Sequence, residues 1–326
     1  MQEKQSFDQV LNSLRESRPS DATLYKLSNL PGTELRLLAE TWPSLPVEHR
    51  QQIASRLVEI GEADFETDFC EVFRVCLTDP DPQVRTAAIE GLWEVEDVVL
   101  IRPLIHMLQQ DASTVVRQAA AISLSRFALL AELGDLPPGL GDLVWDSLWN
   151  AVHNPQEDIS VRRRAIESLA YFDRPEVTQV IERAYQDEEA MRRISAVFAM
   201  GRSADERWSD RVMAELDQDD PQMRYEAARA CGSLHVAEAV PILSRMVADP
   251  DLEVKLAAVW ALGQIGGPEA QRVLEICSEQ GDEGLQDAAA EALEELDFGA
   301  GAFEFPLWNA DGEEEDEFDW DEDDDE

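Results

Sequence analysis

The amino-acid sequence predicts an all-α, right-handed solenoid of stacked helix pairs. Three observations carry that expectation: a short motif recurs along the chain, its apolar positions have helical spacing, and no stretch alternates as a strand would. The motif stands as Val84-Arg85-Thr86-Ala87-Ala88 with Leu92, as Val116-Arg117-Gln118-Ala119-Ala120 with Leu124, and as Val254-Lys255 with Ala257, Ala258 and Leu262. Its second residue falls at 85, 117, 162, 193, 224, 255 and 286, so the steps are 32, 45, 31, 31, 31 and 31. A weaker unit around Arg50 precedes the series, which makes about eight.

Within each unit, apolar or small residues at 0, +4 and +8 form one face of a helix. Before several units stands a helix-start turn, as in Asp79-Pro80-Asp81-Pro82 and Asp249-Pro250-Asp251, where Asp caps free N–H groups and Pro suits the first turn. Between units lies a second apolar-periodic segment, such as Ile101-Arg102-Pro103-Leu104. Two helices cannot bury an apolar face alone, so the pairs must stack. The expected organisation is capping helices over 1–44, the repeat array over 45–296 with a Pro/Gly-rich loop insertion near 133–142, and a tail over 297–326. Trp145 and Trp149, just after the insertion, are expected to cover the neighbouring helix.

The chain has 326 residues and a net charge of −42, with 27 Lys and Arg against 69 Asp and Glu. That balance opposes direct nucleic-acid binding and docking on an anionic membrane, and favours a basic protein as partner. Four cysteines without a CxxC pair, no apolar run of membrane length and no signal-peptide pattern point to the cytoplasm. The tail holds 15 acids and no Lys or Arg, with aromatics among them. Phe303, Phe305, Trp308, Phe318 and Trp320 are candidate client anchors, although the same tail could cap the last repeat or only solubilise the chain.

The D-P-x-x-x-V-R-x-A-A pattern with a period near 31 resembles the short HEAT-like repeats named after phycobilisome lyases, over roughly residues 45–296. The resemblance implies an α-solenoid and leaves function open. Proteins with such repeats include an iron-dependent hydroxylase whose metal ligands come from His-Glu pairs. Here His49, His106, His153 and His235 are followed by Arg, Met, Asn and Val. No catalytic residue, cofactor or metal site is therefore expected.

The recurring basic residue (Arg85, Arg117, Arg162, Arg193, Arg224 and Lys255) reads as a structural ladder pairing with the next turn. Candidate partner-binding residues sit instead at +2 and +6, on the expected concave face: Phe198, Tyr225, Arg229 and Trp260, with Trp93 joining from an earlier unit. Tyr, Trp and Arg are enriched at binding hot spots, yet the same aromatics could equally be core. The function expected is a non-enzymatic scaffold or chaperone for a basic client. The alternatives are a phycobilin lyase or lyase subunit, and an acidic nucleic-acid mimic. Oligomeric state is not legible.

Overall fold

The computed structural model describes residues 7–15 and 19–301, and among them it contains helices and turns but no strand. Three N-terminal helices, α1 (Phe7–Arg15), α2 (Asp21–Leu24) and α3 (Gly32–Thr41), lead into the array. There follow α4 (Val47–Ala63), α5 (Cys70–Cys76), α6 (Pro82–Gly91), α7 (Ile101–Gln110), α8 (Thr114–Ser123), α9 (Ser125–Leu133) and α10 (Leu140–His153). The regular half comprises α11 (Ile159–Leu169), α12 (Pro175–Tyr185), α13 (Ala190–Arg202), α14 (Ser209–Ala214) and α15 (Pro221–Ser233). It closes with α16 (Val240–Met246), α17 (Leu252–Ile265), α18 (Pro268–Gln280) and α19 (Glu283–Gly301).

The helices form two rows. Each of α4, α6, α8, α11, α13, α15, α17 and α19 packs directly on the next. Successive helices of the other row meet more sparsely, so the α-solenoid bends toward the first row, whose outward-facing side is concave. The motif residues explain the stacking. Val84, Val116, Val161 and Val254 at position 0, and Ala88, Ala120, Ala165 and Ala258 at +4, are all buried.

Glycines let the inner row approach still closer. A Cβ on Gly201 would lie 2.7 Å from Ala230 Cα, and one on Gly232 would lie 2.9 Å from Ala261 Cα. One on Gly263 would lie 2.9 Å from Ala292 Cβ. Gly232→Ala is expected to destabilise the protein by about 1–3 kcal/mol, because backbone stands in the way and cannot swing aside as a side chain can. Gly61→Ala, whose methyl would only graze Phe69 at 4.0 Å, is the neutral control when urea midpoints are compared.

The turn carboxylates act twice. Asp81 accepts from the Gln83 and Val84 N–H groups, and Asp251 from those of Glu253 and Val254, as N-caps should. The preceding acid pairs with the arginine of the repeat before it. Arg85 binds Asp111 through Nε at 2.8 Å and Nη2 at 2.7 Å, and Arg224 binds Asp249 at 2.8 and 2.9 Å. Hydrogen bonds from Arg224 hold the Asp249 carboxyl below the usual range. Arg117 reaches Glu157, and Arg50 reaches Asp79. The ladder breaks at Arg162 and Arg193, which donate to backbone carbonyls of Val152 and of Asp187 and Glu188. Asp187 pairs with Arg192 instead.

The insertion differs from a simple projecting loop. Leu124 keeps helical backbone angles at the end of α8, so the chain bends and continues as α9. Only 134–139 lie between helices, with Gly134 and Gly139 in the left-handed region. Trp145 stacks on Trp149 at 5.3 Å and meets Phe172 edge-on, while Arg174 lies 4.3 Å over the Trp145 ring.

Candidate functional site

The 31-residue register lines up residues of α11, α13, α15 and α17 in columns on the concave face. The +6 column runs Glu167, Phe198, Arg229, Trp260, and the +3 column runs Arg164, Ser195, Glu226, Ala257. Phe198, Tyr225, Arg229 and Trp260 are brought together there, each half-buried. The Arg229 guanidinium lies 3.6 Å over the Trp260 ring, a cation–π contact. That ring rests on the bare backbone of Gly232, where an added Cβ would come within 2.6 Å of it. Arg202 repeats the arrangement, 5.4 Å from the Phe198 ring and 6.0 Å from that of Tyr171.

A cavity of about 110 Å³ opens among Phe198, Arg202, Tyr225, Glu226, Arg229 and Ser233. Burial, and then the charge of Glu167, push the Glu226 carboxyl up to about 7, against the pull of Arg229, Arg164 and Arg202. Glu226 makes no hydrogen bond or ion pair among the described residues. Glu167, by contrast, is satisfied: the Ser195 hydroxyl donates to it at 2.6 Å and Arg164 at 2.7 Å. Arg163 Nε donates to the Ser195 oxygen at 3.0 Å, which joins α11 to α13. Sequence reading missed Glu226, Glu167, Ser195 and Arg202. For Ser195 and Glu226 the available signal was a polar residue standing in a column that is alanine in later repeats; Glu167 and Arg202 carried no such signal.

Trp93 is not part of this cluster. It stands in the turn after α6, 53% exposed, on a separate cleft toward the N-terminal end. Phe303, Phe305, Trp308, Phe318 and Trp320 lie outside the described residues.

The donors needed for an iron centre do not fit. His49, His106, His153 and His235 are spread over different repeats, and among the described residues no group of three or more His, Cys, Asp or Glu could hold a metal ion. The four cysteines are free, and burial pushes the Cys231 thiol up to about 12, far from an activated nucleophile. No described helix is long and apolar enough to cross a membrane.

Comparison with known proteins bears on both fold and function. A model of HEAT repeats matches residues 37–125 and 209–294, more than half of the chain. Deoxyhypusine hydroxylase of Drosophila melanogaster is 25% identical over 205 residues, which is 57% of this chain and 66% of that protein. The Mus musculus deoxyhypusine hydroxylase is 25% identical over 123 residues, 37% of this chain and 40% of the relative. The chain thus spans less than two thirds of the curated relatives that it matches. Among solved structures, the CpcE–CpcF complex of phycocyanin lyase from Nostoc sp. PCC7120 aligns with a TM-score of 0.47 and 17% identity, over 70% of this chain and 94% of that one. Human deoxyhypusine hydroxylase in complex with glycerol aligns at 0.35 and 19%, over 79% and 95%.

The curated relatives are named as enzymes. That overturns the expectation of a non-enzymatic scaffold or chaperone, and those relatives do not support the phycobilin-lyase or nucleic-acid-mimic alternatives either. The error has a physical root: net charge reports on what a surface attracts and says nothing about chemistry, and a search for His-Glu pairs tests one donor set only. The fold is unaffected. Repeats, capping turns and family match agree, and the chain belongs to the HEAT-repeat family.

Proposed function

We propose that this chain works in an enzymatic reaction on a basic protein, which it recognises along the concave face of α11, α13, α15 and α17. The observation that supports this most is Glu226, a carboxyl that makes no hydrogen bond or ion pair among the described residues and opens into a cavity large enough for the end of one side chain. An acceptor so placed takes an ammonium, guanidinium or amide N–H from a bound segment. The Arg229–Trp260 and Arg202–Phe198 pairs beside it offer flat, pre-ordered surfaces for the flanking residues. The net charge of −42 would speed the approach of such a protein. Direct nucleic-acid binding and membrane attachment form no part of this reading, and four free thiols accord with the cytoplasm.

The relatives' named activity on deoxyhypusine reaches this chain as an analogy of substrate recognition. No chemical step is derived through a metal, since the donor set does not fit one. The test is fluorescence anisotropy with a labelled Lys/Arg-rich dodecapeptide and an acidic peptide of equal length. The basic peptide should bind, about tenfold more weakly to Glu226→Gln. Equal binding of both peptides, or no effect of that substitution, would sink the proposal.

A further inference from the structure

A second cleft, of about 550 Å³, lies between the C-terminal half of α4, α5 and the turn after α6. Its floor is apolar: Leu57, Val58 and the buried rings of Phe69 and Phe73. The Phe73 ring sits directly on the backbone of Gly91, where an added Cβ would overlap it at 2.2 Å, so the floor is held in place. At the rim stand Trp93, 53% exposed, and Phe65, 88% exposed. The segment bearing Phe65 is tied down on both sides. Glu66 and Thr67 N–H groups donate to Asp64, and the Ser28 hydroxyl accepts from the Asp68 N–H at 2.9 Å. Two exposed aromatics on pinned backbone over an apolar floor make a patch that calls for a ligand.

The charge of the cleft selects the occupant. Glu62, Asp68, Glu90 and Glu94 line it, and no Lys or Arg among the described residues does. Arg126 touches this turn, but through the Trp93 carbonyl. Glu62, Glu90 and Glu94 take part in no ion pair among the described residues. Glu90 keeps surface exposure but is partly desolvated by the cleft wall, and this, and then the charge of Glu62, push its carboxyl up from its ordinary value. A second copy of the chain would bring another −42 charges, and the chain's own acidic tail has the same wrong sign. The volume exceeds that of any single side chain.

We propose that this cleft docks a short polypeptide segment in which basic residues alternate with apolar ones. The apolar residues would enter over Phe69 and Phe73, and the cations would sit against Trp93 and the rim carboxylates. The proposal is independent of the concave-face reading, because the two sites share no residue.

The test uses the full chain and a fluorescein-labelled decapeptide alternating Arg and Leu, beside its Glu-for-Arg counterpart, at low and moderate salt. The basic peptide should bind and weaken steeply with salt. Trp93→Ala, Phe65→Ala and the double variant Glu62→Gln/Glu90→Gln should each lower affinity at least tenfold with circular dichroism unchanged, since all four residues are exposed. Gln271→Ala, exposed on α18 and outside both sites, should leave this affinity alone. Unchanged affinity in all three cleft variants, equal binding of the acidic peptide, or loss in Glu226→Gln alone would overturn the proposal. So would a dimer in sedimentation that Trp93→Ala dissolves, because the occupant would then be a second copy.

Discussion

Replacing Arg50 with alanine is expected to destabilise the first repeats by about 3–5 kcal/mol, the range for breaking a buried ion pair from one side. The Arg50 and Asp79 side chains are 8% and 1% exposed. Arg50 Nε and Nη2 donate to the two Asp79 oxygens at 2.8 and 3.2 Å, and Nη1 donates to the Leu45 carbonyl at 2.6 Å. Asp79 also accepts from Trp42 Nε1 at 2.7 Å and from the Asp81 N–H at 2.8 Å. Removing the guanidinium leaves that carboxylate charged, buried and short of its strongest donor. A double change to Arg50→Met and Asp79→Leu is expected to recover little, because it strands the Trp42 and Asp81 donors. Arg56→Ala, which breaks only exposed, solvent-screened contacts to Asp21 and Glu59, should change stability little. Native-state hydrogen exchange reads the difference, with α4 and α6 amides losing protection in Arg50→Ala and keeping it in Arg56→Ala.

The second large effect is a pH-dependent gain. Glu226→Gln should stabilise the protein by about 2–3 kcal/mol at pH 8 and leave it nearly unchanged near pH 4. The carboxyl rises from an ordinary value of 4.5 to about 7 on folding, so the folded state binds the proton more tightly. Wild-type stability therefore falls as pH rises from about 4.5 to 7 and is flat beyond. Glutamine removes the ionisation and the slope with it. The charged groups facing Glu226 are Glu167 and Arg164 from α11, Arg202 from α13 and Arg229 on its own helix, and all remain in the variant. Urea midpoints at pH 4.5, 6 and 8 measure the slope; parallel curves for the two proteins would show that Glu226 is solvated. A cation bound beside Glu226 draws its proton away, so basic-peptide affinity should rise from pH 5 to pH 8.

Much of this architecture was legible because repetition turns weak local signals into strong ones. The Asp–Pro turns, the Val and Ala core positions and the Arg ladder each recur, and each is local to about one helix. What could not be read depends on contacts across repeats or on places where the period fails. Glu226 owes its environment to Glu167, two helices away in the inner row. The Phe69 and Phe73 floor lies ahead of the regular series, in a repeat whose spacing is irregular. The helix α9 depends on Leu124 staying helical where earlier units turn. Phe198, Tyr225 and Trp260 share one face while Trp93 stands apart on another cleft, and the packing of Trp260 between Arg229 and the Gly232 backbone depends on contacts between repeats. The enzyme relationship was invisible to charge and composition.

Each ladder arginine that pairs with a carboxylate reaches forward, to one carried by the unit that follows: Arg224 to Asp249, 25 residues on, and Arg85 to Asp111, 26 residues on. The contact thus sets a phase for the repeats that carry it. A segment of 31 residues cut out or duplicated in register takes away or brings in one donor and one acceptor together, and the new junction meets matching partners. A change of any other length leaves a guanidinium facing the wrong turn. Arg117 marks the tolerated exception, since its acceptor Glu157 lies 40 residues on and the intervening helices double back to deliver it. Between the repeats so paired, length therefore changes most readily in whole steps, or by a detour that returns the chain to register, whereas Arg162 and Arg193, held by backbone carbonyls, impose no such phase.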